Sequence, residues 1–281
     1  MAEAAVLGST GQLGRQLLAV LGRRARGIGR AELDLADPGS IERALHRLRP
    51  RIVINTAAFN DVDGAERQRR QALAVNAEGP AELARVAQAR GIRLVHFSTD
   101  YVFGGDGLKR PRRESDAPAP VNFYGYSKLL GEEAVLRSGA KALVLRVAHL
   151  YGGTSLSPGR ASLVERFVER ARAGQPLIIT RGQYLNPTSV RDLAPAVLAL
   201  LRREACGLYH LTGGGACPAG EFAREVCRLA GLRAKIQWVS RDSRPARRAR
   251  YTPLENYRWG KEGLPPIPHW RSSLAEHLLS A

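Results

Sequence analysis

The sequence predicts an α/β protein built on a doubly wound parallel sheet, with a smaller α/β region interleaved in the C-terminal half. Short apolar runs typical of buried strands alternate with amphipathic helical segments, and small or polar residues follow these runs. Because right-handed crossovers bring the carboxyl ends of parallel strands to one sheet edge, we expect these residues to meet there. We assign 1–150 to the main region and 151–281 to the smaller one, with some segments returning to the main sheet.

The first predicted strand, Ala4 to Leu7, runs into a glycine-rich turn and then a helix with an apolar face of leucines. The first glycine permits a tight turn, the second lets a pyrophosphate approach the backbone, and the third lets the helix pack on the strand. The helix N–H groups then point at the phosphates, which is typical of a dinucleotide site. The predicted cofactor contacts of this turn are therefore Gly8, Gly11 and Gly14.

The second predicted strand, about Ala25 to Ile28, ends where a site for NAD usually carries an acid that holds the adenosine ribose. Arg30 stands there instead. Since a guanidinium group suits a 2′-phosphate by charge and geometry, NADPH is the favoured cofactor and NADH is the alternative. Asp34 and Leu35 follow as a predicted wall for the adenine.

The third predicted strand, Ile52 to Asn55, is followed by small residues. Ala57 and Ala58 leave room for a cofactor to lie against the backbone. This segment therefore extends the predicted cofactor site along the sheet edge.

A helix over 76–89 and a strand over 93–97 bring the chain to Thr99, which ends at the same edge. Tyr124 is predicted to open a helix, so that Lys128 lies one turn later on the same face. A nearby ammonium group favours the phenolate and is expected to lower the pKa of Tyr124 toward neutrality. Tyr124 would then protonate a carbonyl oxygen, and the Thr99 hydroxyl would bind the same oxygen.

Composition sets the protein class. The chain has 281 residues, 44% of them hydrophobic and 25% charged, which is globular rather than disordered. No run approaches the ~20 apolar residues of a membrane span and no basic, apolar leader precedes the first strand, so a cytoplasmic protein without a membrane partner is expected.

The net charge of +17 comes from arginines scattered along helices rather than gathered beside aromatics. Nucleic-acid binding is therefore a distant alternative, whereas a positive field attracts anionic ligands.

Ordered motifs run through nearly the whole chain. In the first half they are Gly8-x-x-Gly11-x-x-Gly14, Asp34-Leu35-x-Asp37, Asn55-x-Ala57-Ala58, Val62-Asp63-x-Ala65-Glu66, Ser98-Thr99-Asp100-Tyr101-Val102-Phe103 and Tyr124-Gly125-x-Ser127-Lys128-x-x-Gly131-Glu132. In the second half they are Asn186-Pro187-Thr188, Asp192-Leu193-Ala194, Gly207-Leu208-Tyr209-His210-Leu211, Glu221-Phe222-Ala223, Arg244-Pro245 and Trp270-Arg271. Together they resemble the extended short-chain dehydrogenase/reductases, whose sheet is of the Rossmann type. More narrowly, they are similar to the members that reduce 4-keto deoxysugar nucleotides.

The resemblance implies an NAD(P)H-dependent reduction of dTDP-4-dehydro-6-deoxy-L-mannose to dTDP-L-rhamnose. It implies that Thr99 and Tyr124 bind the ketone oxygen, with Tyr124 as proton donor, and that Lys128 holds the nicotinamide ribose. It also implies cofactor contacts at Thr10, Gln12, Leu13 and Asn60. The residues implied to face the sugar are Val62, Asp100 and Tyr101. Related dehydratases carry an acid after the Ser-Thr-Asp run, so Tyr101 favours reduction without elimination.

His149 is the main departure from the family pattern, because similar reductases commonly place a tryptophan against the sugar at this position. We include it among the predicted substrate contacts. The replacement keeps two alternatives open: a reductase or epimerase of another nucleotide sugar, and a catalytically silent, NADP-binding regulatory subunit similar to the β subunit of methionine adenosyltransferase. A homodimer is included among the expected partners.

The second half is predicted to form the smaller α/β region, with helices near 161–173, 189–203 and 219–231, strands near 177–179 and 209–211, and a last helix over 270–279. The polar loop 153–160 is a candidate lid. The segment 241–251 is dense in arginine, and we expect Arg244 to lie near the substrate diphosphate, which suits its charge and fork geometry.

Overall fold

A six-stranded parallel sheet forms the main body of the computed structural model, which describes residues 3–153, 161–240 and 244–279. The strand order is β10-β5-β4-β3-β1-β2. The strands are β1 (Ala4–Leu7), β2 (Ala25–Ile28), β3 (Ile52–Asn55), β4 (Arg93–Thr99), β5 (Ala142–Val147), β6 (Leu150–Tyr151), β7 (Leu177–Thr180), β8 (Tyr184–Leu185), β9 (Thr188–Ser189), β10 (Gly207–His210), β11 (Cys217–Pro218) and β12 (Ile236–Val239). The predicted fold class is confirmed.

The helices alternate with these strands as the apolar periodicity predicts. They are α1 (Gln12–Leu21), α2 (Pro38–Leu48), α3 (Val62–Arg67), α4 (Arg69–Leu73), α5 (Gly79–Arg90), α6 (Phe123–Arg137), α7 (Leu163–Arg172), α8 (Val190–Arg202), α9 (Ala219–Leu229), α10 (Tyr257–Lys261) and α11 (Trp270–Leu279). Among the described helices, none combines the length and the apolar character needed to span a bilayer.

One predicted helix differs from the structure. The segment Ala74–Glu78 is a π-helix, and the α-helical part begins only at Gly79. The wider turn aims Asn76 across the molecule, where its amide bonds the backbone of Phe59 in both directions and donates to Ser127 Oγ at 3.0 Å. These three bonds accompany the π-turn, and π-turns of this kind are frequent at functional sites.

Two apolar layers cover the main sheet. One face packs against α1 and α8 through residues such as Leu17, Val197 and Leu200. The other face packs against α2 and α5 through residues such as Ile41 and Leu83. Strands covered on both faces are buried along their length, which explains their continuous apolar runs.

The C-terminal region contributes to the main sheet and also has its own core. Strand β10 pairs in parallel with β5, matching Gly207 to Leu143. A separate cluster joins α7, α9 and α11 to β7, with Phe222 and Trp270 among its buried members.

Strand order reverses beside β1, which pairs with both β2 and β3. This switch point is where open α/β sheets bind their ligands. Of the candidate lid, residues 154–160 lie outside the described part of the chain.

Candidate active site

The glycine turn lies at the switch point, directly after β1. Gly8 has a φ of +72°, and a Cβ atom there would lie 2.8 Å from the amide nitrogen of Ala57. A Cβ on Gly14 would lie 2.4 Å from the carbonyl oxygen of Gly8. Only glycine fits at these two positions. Gly11 caps α1 and donates its N–H to Gly8 O at 3.0 Å, so the free N–H groups of the first helical turn border the site.

The surroundings of this turn suit a dinucleotide. The Oε1 atom of Gln12 is buried without a hydrogen-bond partner among the described residues. Asn55 Oδ1 accepts the N–H of Ala57 at 3.1 Å, which fixes the bend after β3. Ala57 and Ala58 are half-buried and Asn60 is exposed, so the small side chains leave the backbone open. An orphaned polar group, a helix N-terminus and a shallow alanine wall fit the phosphates and ribose of NADP(H).

Arg30 lies in the exposed segment after β2. Its Nε donates to Asp34 Oδ2 at 3.0 Å, while its side chain remains 75% exposed. Asp34 also accepts the backbone N–H of Ala36 at 3.0 Å. Leu35 is buried beneath them. Arg30 and Asp34, both predicted to bind the adenosine end of the cofactor, are therefore neighbours. The guanidinium group of Arg30 faces solvent, where an incoming phosphate has access to it.

Thr99 and Tyr124 meet at the carboxyl end of β4. Thr99 ends this strand, and its hydroxyl accepts the N–H of Tyr101 at 3.2 Å. Tyr124 lies in the first turn of α6, which is capped by Asn122 through a 2.8 Å bond to Gly125 N. The rings of Tyr101 and Tyr124 pack edge to face at 5.5 Å. Strand end, short turn and capped helix thus hold the two hydroxyl groups on one side of the sheet edge.

Lys128 is buried beneath these hydroxyl groups, with 3% of its surface exposed. Its ammonium group donates to the carbonyl oxygen of Phe97 at 2.6 Å. Burial lowers the pKa of Lys128 to about 8, although the nearby charge of Glu132 opposes this change. As the sequence predicts, Lys128 lies on α6, one turn after Tyr124.

The predicted effect of Lys128 on Tyr124 is wrong for the protein without cofactor. The pKa of Tyr124 is raised above its ordinary value, first because burial disfavours the phenolate and then because Asp100 and Tyr101 lie close. Only a hydrogen bond with Thr99 acts in the other direction. The ammonium charge of Lys128 is directed to Phe97 O, so desolvation dominates.

Asp100 and Tyr101, two of the predicted sugar-facing residues, lie beside Thr99 and Tyr124. Asp100 is 2% exposed and accepts a hydrogen bond from Thr252 Oγ1 at 2.6 Å. His149 lines a small cavity together with Tyr101 and Thr252. Val62 starts α3, on the segment that follows β3. Asp100, Tyr101, His149 and Thr252, which come from distant parts of the chain, therefore lie together.

A basic cleft of about 720 Å³ lies next to this site. Its described lining residues include no carboxylate, and its cations are Lys109, Arg244, Arg247, Arg248 and Arg250. The predicted diphosphate ligand Arg244 is thus one of several arginines there, and its charge also acts on Asp63 and Tyr101.

Arg248 is a site residue that the sequence reasoning missed. Its guanidinium group bonds Asp63 at 2.5 and 2.9 Å and also contacts Tyr101. The density of arginine in 241–251 pointed to this segment. The contact between Arg248 and α3 determines which arginine of the segment faces Tyr101. The local sequence carries no pattern that predicts this contact.

The sheet, its glycine turn and the Thr99, Tyr124 and Lys128 cluster define an extended short-chain dehydrogenase/reductase. A family model described as the RmlD substrate binding domain matches residues 3–281. The chain belongs to this family.

Named relatives agree with this assignment. The chain is 36% identical to the dTDP-4-dehydrorhamnose reductase of Streptomyces griseus, over 96% of this chain and 91% of that protein. It is also 36% identical to the dTDP-4-keto-6-deoxy-D-glucose reductase of Streptomyces niveus, over 96% of this chain and 94% of that protein. The crystal structure of dTDP-4-dehydrorhamnose reductase from Bacillus anthracis in complex with NADP is similar at a TM-score of 0.92 and 29% identity, covering 100% of both chains.

Proposed function

We propose that this protein is an NADPH-dependent nucleotide-sugar ketoreductase that converts dTDP-4-dehydro-6-deoxy-L-mannose to dTDP-L-rhamnose. The observation that carries this proposal is the meeting of Thr99 and Tyr124 at the end of β4, with Lys128 one turn away and the glycine turn on the same sheet edge. The reductase names of the relatives and the NADP in the related crystal structure support it.

The geometry suits reduction of a ketone. Bound NADPH supplies the hydride. Tyr124 is fully protonated near neutral pH, because burial raises its pKa, so it has a proton to give to the ketone oxygen. When the ketone binds, the Thr99 hydroxyl turns from Asp100 Oδ1 and donates its one hydrogen to the same oxygen. As the phenolate forms, the ammonium group of Lys128 stabilises it and holds the nicotinamide ribose.

The remaining roles follow from position. We assign the pyrophosphate to Gly8, Thr10, Gly11, Gln12, Leu13 and Gly14. Arg30 takes the 2′-phosphate, Asp34 and Leu35 bound the adenine, and the wall after β3 formed by Ala57, Ala58 and Asn60 completes the cofactor path. We further propose that 1–150 chiefly binds the dinucleotide and 151–281 the sugar nucleotide.

For the substrate, we assign Val62, Asp100, Tyr101 and His149 to the sugar and Arg244 to the diphosphate. The absence of carboxylates from the described lining of the basic cleft supports an anionic ligand there. Arg248 joins this set, since it connects Asp63 of α3 to Tyr101.

His149 favours a second candidate, a reductase or epimerase of another nucleotide sugar, because it replaces the tryptophan of the family pattern. The name of the Streptomyces niveus relative is consistent with a different sugar. The silent regulatory subunit remains the alternative from another class. A homodimer and a cytoplasmic location remain predictions, and light scattering after gel filtration tests the first of them.

The test compares NADPH oxidation by wild type and Tyr124→Phe with dTDP-4-dehydro-6-deoxy-L-mannose. We expect a loss of about 100-fold or more in kcat for Tyr124→Phe, because the general acid is removed. Tyr126→Phe is the matched control on the same helix, since Tyr126 is 45% exposed, and it should keep full activity. An unchanged rate in Tyr124→Phe would contradict the proposal. Wild type that binds NADPH but does not turn over would favour another sugar or the regulatory role.

A further inference from the structure

The imidazole ring of His149 lies beside the carboxylate of Asp100. His149 Nδ1 is 3.9 Å from Asp100 Oδ2, and its side chain is 14% exposed. This nitrogen is buried and has no hydrogen-bond partner among the described residues. A buried polar atom without a hydrogen-bond partner carries a desolvation penalty. A hydrogen bond between His149 Nδ1 and Asp100 Oδ2 would remove this penalty, which favours a shorter distance between the two groups. Catalytic hydrogen bonds are often long in a free enzyme and shorten when the substrate binds.

Asp100 is held in a fixed position to receive this bond. Thr99 Oγ1 donates to its Oδ1 at 3.3 Å, and Thr252 Oγ1 donates to its Oδ2 at 2.6 Å. A carboxylate oxygen accepts two hydrogen bonds, so Oδ2 keeps one site for an N–H group. The bond from Thr99 also links Asp100 to the ketone-binding pair. Asp100 therefore lies between His149 and the predicted reaction centre.

The backbone fixes the direction of the ring. His149 has a φ of 45°, in the left-handed region that a residue with a side chain rarely adopts. Its carbonyl oxygen accepts the N–H of Thr188 at 3.2 Å, which holds this conformation. Unfavourable backbone angles of this kind cluster at functional sites. With Nδ1 facing Asp100, Nε2 lies on the opposite side of the ring, and the ring lines the small cavity shared with Tyr101.

We propose that His149 and Asp100 form a second proton-transfer site, which exchanges the proton on a carbon next to the substrate ketone. Asp100 accepts Nδ1–H and thereby leaves Nε2 as the base. Nε2 takes the proton from this carbon, the C–H electron pair forms the enolate, and Tyr124 protonates the oxygen. Reversal of these steps returns a proton from His149 to carbon and one from oxygen to Tyr124, without oxidant or reductant. The proposal rests on the proposed function, because Thr99 and Tyr124 must hold the ketone.

Distance and chemistry support this assignment. The Tyr101 ring packs 5.5 Å from that of Tyr124 and also lines the cavity of His149, so Tyr101 connects the two proton-transfer groups. A proton next to a ketone becomes more acidic when hydrogen-bond donors bind the oxygen, and an unprotonated imidazole nitrogen can accept it.

The experiment measures deuterium incorporation by mass spectrometry. The full chain is incubated in D₂O with NADP⁺ and dTDP-4-dehydro-6-deoxy-L-mannose, and NADPH is then added to the same sample to measure reduction. We expect wild type to exchange at least tenfold faster than buffer. In His149→Asn, which keeps a residue that tolerates a positive φ, the ratio of exchange to reduction should fall at least tenfold. NADPH binding reports its folding. His277→Asn is the control, because His277 also has a buried Nδ1 without a described partner but lies on α11.

Reduction without exchange above the buffer rate would overturn the proposal and leave the reductase function intact. Exchange and reduction falling in parallel in His149→Asn would also overturn it, since His149 would then act only in binding. A sample with neither exchange nor reduction would overturn both this proposal and the proposed function.

Discussion

At the scale of single residues, the buried ammonium group of Lys128 lowers the free energy of unfolding. The same group has a proposed role in the active site. Within the described part of the chain it donates to a neutral carbonyl oxygen, that of Phe97, which offsets only part of the cost of removing a charge from water. The depressed pKa records this cost. Buried charges with few hydrogen-bond partners are typical of active sites, where a bound ligand supplies the missing partners.

This cost predicts a pH-dependent stability difference between wild type and Lys128→Met. The folded-state pKa of about 8 lies below the ordinary 10.5, so the charged form destabilises the fold fully below pH 8 and the penalty disappears as pH rises toward 10.5. The variant should therefore be more stable at pH 7, by up to about 3 kcal/mol, and close to wild type at pH 10.5. Urea unfolding at both pH values measures this. An equal difference at both would show that the lost charge is not the cause.

Arg30 predicts cofactor preference. Its ion pair with Asp34 is exposed and therefore weak, so a 2′-phosphate can replace it at little cost. Arg30→Ala should raise the Kd for NADPH about tenfold relative to that for NADH, a difference of about 1.4 kcal/mol. Fluorescence titration with both cofactors measures the ratio. Arg26→Ala is the control, because Arg26 is also exposed and paired with a carboxylate, Glu32. A ratio unchanged by Arg30→Ala would refute the 2′-phosphate role.

The sequence predicted the placement of residues whose position follows from strand ends and helical spacing. Thr99, Tyr124 and Lys128 meet because β4 and α6 are adjacent in the chain and in space. The protonation of Tyr124 was not predictable, since it depends on burial by residues from many elements. Likewise, Arg248 reaches Asp63 across 185 positions of sequence, a contact that only the folded chain defines.

At the scale of elements, close packing of α6 positions the site. A Cβ on Gly125 would lie 2.1 Å from the carbonyl oxygen of Tyr101, and one on Gly131 would lie 2.0 Å from that of Asn76. The helix therefore touches the turn after β4 and the π-helix at two bare backbone points. The sequence predicted α6 but not the π-helix, because π-turns lack a distinct local pattern.

Gly125→Ala should separate α6 from the turn that carries Tyr101. We expect a loss of about 1–3 kcal/mol in the free energy of unfolding, as for other overpacked sites, and a lower kcat as Tyr124 moves away from Thr99. Thermal unfolding and NADPH oxidation measure the two effects. Gly260→Ala in α10 is the matched control, since nothing lies within 4 Å of a Cβ there, and it should be neutral or slightly stabilising. Equal stability of the two variants would contradict the packing argument.

At the scale of the whole molecule, the two regions depend on each other. Strand β10 completes the main sheet, and α8 covers one of its faces beside α1. The fold class was predictable because each β–α unit is local. The partner of β5 was not, since β10 is separated from it by β6 to β9 and two helices.

This arrangement predicts that a fragment of residues 1–150 will not fold by itself. It would expose the buried strand β5 along its open edge and remove α8 from the apolar layer. We expect no cooperative thermal transition by circular dichroism and no NADPH binding, whereas the full chain shows both. A fragment that melts cooperatively and binds NADPH would disprove this dependence.

The late position of β10 also bears on synthesis of the protein. While a ribosome translates the segment from Val147 to Gly207, the nascent chain already contains β1 to β5, but the sheet ends in an unpaired edge. Open strand edges recruit other chains, so this interval is the vulnerable stage of folding in the cell. Slow translation there should favour aggregation, and a chaperone that shields β5 until β10 emerges should raise the yield of active protein.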